Sequence, residues 1–109
     1  MGFLNKILRR PEPAIGSYQD FWDWFVQNQT EFYNIVSQKN PALVEAKFFS
    51  KLAPKLAQLT DGIFYLTGMA NDSTAELVLT ADGNPKNIVF VEELADASPH
   101  IPNWLITKL

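Results

Sequence analysis

The sequence contains no cysteine and a single histidine, His100. Without cysteine, the chain forms no disulfide and offers no thiolate to a metal ion, an iron–sulfur cluster or a covalent catalytic intermediate. One histidine also excludes the two-histidine zinc sites of metalloproteases. The glycines are too scattered for a phosphate-binding loop. We therefore expect no cofactor and no bound metal ion.

Long hydrophobic runs are also missing. No apolar stretch approaches the roughly 20 residues that a transmembrane helix needs. Residues 1–10 make a poor secretory signal, because Lys6 interrupts the apolar stretch and Arg9 and Arg10 follow it rather than precede it. We therefore predict a cytoplasmic protein.

Basic residues are scarce after position 10. Positions 11–109 hold six basic and twelve acidic residues, which gives this part of the chain a net charge of −6. A surface of that sign repels phosphate backbones, since nucleic-acid binding depends on basic patches. Nucleic acid is therefore not an expected partner.

The composition favours one folded domain. The 109 residues are 47% hydrophobic and include 8 Phe and 3 Trp, enough for a core that needs neither metal nor disulfide. We assign residues 1–16 to an amphipathic N-terminal segment with a proline-containing linker, and 17–109 to a single domain. The last predicted strand ends at Leu109 itself, which leaves open whether this is the front part of a longer protein.

Three stretches have the periodicity of helices. The first begins at a capping box of Ser17 and Asp20 and runs from about Tyr18 to Val36. The second begins at Asn40-Pro41, and Pro54 predicts a kink or a restart within it. The third follows Asn84-Pro85 and ends near Ala97.

Strands are predicted between and after these helices. The runs Ile63 to Met69 and Thr74 to Ala81 form a hairpin, and Trp104 to Leu109 forms a final strand. Alternation in the second run indicates that only one face of the sheet is covered. We therefore predict an α+β fold with the order α-α-β-β-α-β, in which helices pack on one face of a three-stranded, mainly antiparallel sheet.

Candidate catalytic groups are few. Asp96, Ser98 and His100 have the residue types of a nucleophile triad, but they crowd one helix end and lack nucleophile-elbow glycines. Asp20 and Asp23 stand in a first helical turn, where the helix dipole favours acids. We interpret both groups as structural, and expect no catalytic residue.

Two features indicate an interaction surface. Trp22 and Tyr33 flank the apolar stripe of the first helix, and together with Tyr18 they are the expected exposed aromatics of an interaction strip on this helix. Residues 3–10 predict a short amphipathic helix, whose alternative is a disordered tail. The residues expected to make contacts in this segment are Phe3, Leu4, Ile7, Leu8, Arg9 and Arg10.

Four motifs stand out along the chain: Phe21-Trp22-Asp23-Trp24-Phe25, the stretch Glu76-Leu77-Val78-Leu79-Thr80-Ala81-Asp82-Gly83, Val91-Glu92-Glu93-Leu94-Ala95, and Asn103-Trp104. With these motifs the chain resembles uncharacterised bacterial proteins, several of which come from Bacteroidetes-type genomes. The resemblance implies a small α+β domain that opens with a tryptophan-rich helix. It carries over no functional residue, because these proteins have no established activity.

The main hypothesis is a non-catalytic protein-interaction or regulatory domain, whose partner is another protein or a second copy. The alternative is a peripheral membrane-surface adaptor attached through residues 3–10. A third hypothesis is an enzyme that uses carboxylates such as Glu76 and Asp82.

Overall fold

The computed structural model describes residues 14–109. Its elements are α1 (Tyr18–Ser37), α2 (Pro41–Val44), a π-helix (Glu45–Phe49), α3 (Ser50–Leu59), β1 (Phe64–Asn71), β2 (Thr74–Thr80), α4 (Pro85–Asp96) and β3 (Trp104–Lys108). The predicted α+β class and the order of helices and strands are confirmed. Within residues 14–109, no helix is both long and apolar enough to cross a membrane.

The three strands form one mixed sheet in the order β1-β2-β3. β1 pairs with β2 in antiparallel fashion as the predicted hairpin, and β2 pairs with β3 in parallel. The parallel pair follows from the connection, because a helical crossover returns the chain in its original direction. β2 is therefore the central strand, and β1 and β3 are the two edges.

The core lies between the helices and one face of the sheet. Phe21, Phe25 and Phe32 of α1 have no exposed surface, and Leu77 and Leu79 of β2 are equally buried. Burying each such side chain stabilises the fold by about 1.5–3 kcal/mol. The alternation predicted for β2 is confirmed, since its odd-numbered residues face the helices.

The folded body begins earlier than predicted. Ile15, which we had placed in the linker, is 5% exposed and belongs to the core. Its N–H donates to Gln58 Oε1 of α3 at 2.8 Å. At the start of α1, Ser17 Oγ accepts from the Asp20 N–H as predicted, while Asp20 Oδ2 accepts from the Gly16 N–H. These bonds fix residues 15–17 to the domain.

The restart expected at Pro54 does not occur. Pro54 lies inside α3, which continues through it. The irregularity comes earlier, in the π-helix, where the Ser50 N–H donates to the Glu45 carbonyl. A π turn inserts one extra residue and shifts the phase of the apolar stripe. Phe48 is thereby buried while Phe49 stays half-buried, close to β1.

Candidate functional site

The face of the sheet that points away from the helices is open. Because side chains alternate along each strand, one residue in two from every strand lies on it. We call this surface the open face; its residues are Phe64, Leu66 and Gly68 of β1, Glu76, Val78 and Thr80 of β2, and Leu105 and Thr107 of β3, followed by Leu109. Five of these nine residues have large apolar side chains.

The exposed fractions show how little covers this surface. They are 52% for Phe64, 60% for Leu66, 46% for Leu105 and 73% for Leu109. Leu66 and Val78 are opposite each other in the β1–β2 register, and Val78 and Thr107 are opposite each other in the β2–β3 register. Phe64 and Leu105 are diagonal neighbours of Val78, so the apolar row is centred on Val78, with the polar residues Thr80, Glu76 and Thr107 between its members.

Glu76 is the only charged residue of the open face. It lies between Gly68 and Leu105 in the two registers. Its Oε2 accepts a 2.5 Å hydrogen bond from Thr107 Oγ1 on the neighbouring strand, and both residues are half-buried. The bond orients the carboxylate on an apolar surface, where its interaction with a cation is stronger than in open water.

The outer edge of β1 is a second feature of this end of the molecule. The Ala75 N–H donates to the Asn103 carbonyl, and the Leu109 N–H donates to the Leu79 carbonyl. The odd-numbered groups of β2 therefore face β3, and its even-numbered groups face β1. In the antiparallel register, the main-chain groups of Tyr65, Thr67 and Met69 then point away from β2.

A cleft of about 360 Å³ lies beside this edge. The π-helix and the end of α1 form its far wall, and residues 66–69 of β1 form its near wall. Its lining is mainly apolar and includes Val36, Val44, Phe49 and Met69, and Lys39 and Glu45 add one charge of each sign. The nearby Glu45 carboxylate contributes to a raised pKa of the Tyr65 phenol, although burial of the phenol is the larger cause.

The expectation that Trp22 is exposed is wrong. Trp22 has no exposed surface, and its Nε1–H donates to the Leu94 carbonyl of α4 at 2.8 Å. α4 covers this side of α1, and sequence periodicity alone did not reveal on which side of the stripe it packs. Trp22 therefore belongs to the core and not to a surface.

The other predicted contact residues have different outcomes. Tyr18 and Tyr33 are half-buried and pack against the core, so each offers only part of its ring to a partner. Burial raises the pKa of Tyr18, with a smaller contribution from Glu93. The contacts predicted for Phe3 to Arg10 lie outside the described residues.

The candidate catalytic groups engage in local hydrogen bonds. Ser98 Oγ donates to the Ala95 carbonyl, and Asp96 accepts from Lys108 Nζ at 2.7 Å. Asp23 accepts from Gln19 Nε2 within the same helix. Asp82 lies in the turn before α4, and Glu76 lies on β2.

Comparisons with family models, curated proteins and solved structures found no match to this chain. The resemblance to uncharacterised bacterial proteins therefore stays a prediction.

The sequence predicted that one face of the sheet is uncovered but not that this face is apolar, although a signal for it was present. In β1, Phe64, Tyr65 and Leu66 are consecutive apolar residues, so both faces of the strand are apolar. Such a run is typical of a strand that is covered on both sides. Within residues 14–109, other elements cover only the face of β1 that points toward the helices.

Proposed function

We propose that this protein is a non-catalytic interaction domain that binds a partner protein on its open face. The observation that carries the proposal is the row of large, exposed apolar side chains. In other proteins such a sheet face is usually either covered by another element or lined with polar residues. Phe64, Leu66 and Leu105 are each about half exposed. Covering such residues with a partner removes apolar area from water and favours association.

The charge on the face supports a particular kind of partner. Glu76 needs a cation once water is displaced, because an unpaired buried carboxylate is costly. Residues 14–109 hold six lysines and eleven acidic residues, a net charge of −5, so the surroundings also attract a basic partner. We therefore propose that the occupant is an amphipathic helix of another protein, with an apolar stripe and a Lys or Arg beside it.

Two further aspects belong to the same proposal. We propose a cytoplasmic location, which the weak match of residues 1–10 to a secretory signal supports. We also retain the family of uncharacterised bacterial proteins as the proposed relatives. The membrane-surface alternative depends on residues 3–10, which lie outside the described part of the chain, so the open face favours the protein partner.

The test is capture from an extract of the source cells with the immobilised full chain and two variants. Leu105→Glu places a charge in the apolar row, and Val89→Glu places the same charge at a somewhat more exposed apolar position on α4. Val89 is 57% exposed and lies on the helical side of the sheet. The partner should bind the unmodified chain and Val89→Glu but not Leu105→Glu.

A charge swap then tests the chemistry of the partner. Glu76→Lys should weaken binding at least about tenfold, because a desolvated carboxylate–cation contact contributes about 1.5–3 kcal/mol. Reversing the partner's cation to Glu should restore binding to Glu76→Lys. The proposal is wrong if Leu105→Glu and Val89→Glu bind alike, if no protein is captured, or if the bound helix is acidic or belongs to residues 3–10 of this chain.

A further inference from the structure

The edge of β1 offers a second interaction surface, separate from the open face. β1 is eight residues long and pairs with β2 alone within the described chain. The N–H and C=O groups of Tyr65, Thr67 and Met69 point outward along this edge, as the registers and the bonds from β2 to β3 require. An extended strand placed beside them would complete the ladder on that side.

The composition of β1 lacks the usual protection of such an edge. Edge strands are commonly blocked by Lys, Pro or inward-pointing charges, which prevent pairing with another chain. The sequence Phe-Tyr-Leu-Thr-Gly-Met-Ala-Asn of β1 contains none of these. The β3 edge is different, because β3 is shorter and ends at Lys108, which is paired with Asp96. The register of β1 shifts between Met69 and Asn71, so within residues 14–109 the unprotected part of the edge is the regular stretch from Tyr65 to Met69.

A cleft lies beside the part of this edge from Leu66 to Met69, whereas Tyr65 packs against Phe49 of the π-helix. The cleft separates residues 66–69 from the π-helix and leaves about 360 Å³ next to the outward-facing groups. Apolar side chains line it, so the side chains of an incoming strand would be buried there. The cleft also carries Lys39 and Glu45, and a site with one charge of each sign can complement a second copy of itself across a two-fold axis.

We infer that β1 pairs with β1 of a second copy of this chain, in antiparallel fashion about a two-fold axis, to form a continuous six-stranded sheet. A second copy fits because its β1 brings no charge to the apolar edge and brings the complementary Lys39 and Glu45 to the cleft. A two-fold axis at Thr67 uses all outward groups and creates about six main-chain hydrogen bonds. It also places Tyr65 of each copy opposite Met69 of the other, which is a favourable aromatic–thioether contact.

Thr67→Pro and Thr67→Ala form a matched pair of variants. Both remove the hydroxyl that donates to the Glu76 carbonyl at 2.7 Å. Only proline also removes the outward N–H, and proline is tolerated at an edge position whose N–H does not serve the native ladder. Sedimentation velocity over a range of micromolar concentrations should show dimers of the unmodified chain and of Thr67→Ala. Thr67→Pro should dissociate at least about thirtyfold more readily, since each dimer loses two hydrogen bonds.

Amide hydrogen exchange provides a second measurement that needs no variant and decides the matter if Thr67→Pro fails to fold. In the unmodified chain, the amides of Tyr65, Thr67 and Met69 should exchange more slowly at high protein concentration than after dilution. The amides of β2 should not depend on concentration in this way. The inference is overturned by a monomer at every concentration, by equal dissociation of the two variants, or by a dimer in which these three amides exchange independently of concentration.

This inference stands apart from the proposed function. Leu105 lies on β3, across the sheet from the β1 edge, so Leu105→Glu should leave the dimer intact while it abolishes partner capture. Thr67→Pro should weaken the dimer but leave partner capture intact. Each proposal can therefore be tested even if the other is wrong.

Discussion

The indole Nε1–H of Trp22 donates a 2.8 Å hydrogen bond to the main-chain carbonyl of Leu94. Leu94 lies in the last turn of α4, where the final carbonyls have no partner within a helix. The Ser98 N–H, which would reach Leu94 in a continuing helix, bonds the Ala95 carbonyl instead. Trp22 thus satisfies the end of α4 from inside the core and fastens α4 to α1.

Trp22→Phe should destabilise the protein by about 2–4 kcal/mol, because it leaves the buried Leu94 carbonyl without this donor and opens a cavity. Urea unfolding followed by circular dichroism would measure the loss. Trp104→Phe is the control: its Nε1–H bonds the Gln29 carbonyl at 3.2 Å, in the middle of α1, where the helix supplies its own donor. An equal loss in both variants would contradict a special role for Trp22.

Gly62 and Gly83 form a natural pair for substitution by alanine. Both have positive φ angles, +85° and +79°, so each Gly→Ala change should cost about 1 kcal/mol in backbone strain. At Gly62 a Cβ would also collide with the Asn87 side-chain amide, which donates to the Gly62 carbonyl. Space around Gly83 is open.

We therefore expect Gly62→Ala to cost about 1 kcal/mol more than Gly83→Ala, because the Asn87 hydrogen bond must be given up. Thermal unfolding of both variants would measure the difference. In an Asn87→Ala background the two substitutions should become equivalent. A difference that persists there would mean that Asn87 is not its cause.

Because of Tyr65, we expect the free energy of unfolding to fall at alkaline pH. Burial and the nearby Glu45 raise the pKa of its phenol above the ordinary value of 10.0. Above about pH 10 the unfolded chain therefore releases this proton before the folded chain does, which lowers the free energy of unfolding as the pH rises. Below that pH the phenol is neutral in both states and has no such effect.

Tyr65→Phe should reduce this fall, which urea unfolding at about pH 8 and about pH 11 would measure. Lys108 also contributes to the fall in this pH range, because its pKa is raised mainly by its hydrogen bond to Asp96. This contribution is the same in Tyr65→Phe and in the unmodified chain, so it does not affect the comparison. Tyr18→Phe is a useful comparison, because its phenol pKa is raised for a similar reason. An identical pH profile in Tyr65→Phe and the unmodified chain would contradict the prediction.

Asn84 caps α4, since its Oδ1 accepts from the Lys86 N–H. Asn84→Ala should cost about 1 kcal/mol of stability, and Asn84→Asp should cost much less because it keeps an accepting oxygen and favours the helix dipole. Chemical denaturation of the three proteins would test this order. Equal losses in both variants would show that the cap oxygen does not stabilise α4.

Local signals in the sequence predicted most of the fold. Ser17, Asn40 and Asn84 each cap the helix that they were predicted to start. These signals act within a few residues, so they survive without knowledge of the tertiary structure. The π-helix was missed because its register depends on which residues the sheet and α1 bury. The restart expected at Pro54 was wrong, since α3 continues through that residue.

The candidate surface was much harder to predict. Periodicity identified the apolar stripe of α1 but not its neighbours, so Trp22 was expected at the surface although α4 covers it. The open face requires residues from three strands whose order in the sheet only the tertiary structure provides. Leu66 on β1 and Leu105 on β3 are separated by 39 positions in the sequence, and they share one face only because β2 lies between their strands.

The three tryptophans occupy three different boundaries of the core. Trp22 contacts α4, Trp104 lies on β3 with its ring 5.0 Å from that of Phe25, and Trp24 lies beside Lys55 of α3 with the ammonium 5.8 Å from its ring centre. All three are less than 10% exposed. The emission of each tryptophan should therefore shift to longer wavelength when the element packed against it separates from the core and water reaches the indole. Chains that retain one tryptophan at a time would show whether α4, β3 and α3 separate from α1 together or in sequence.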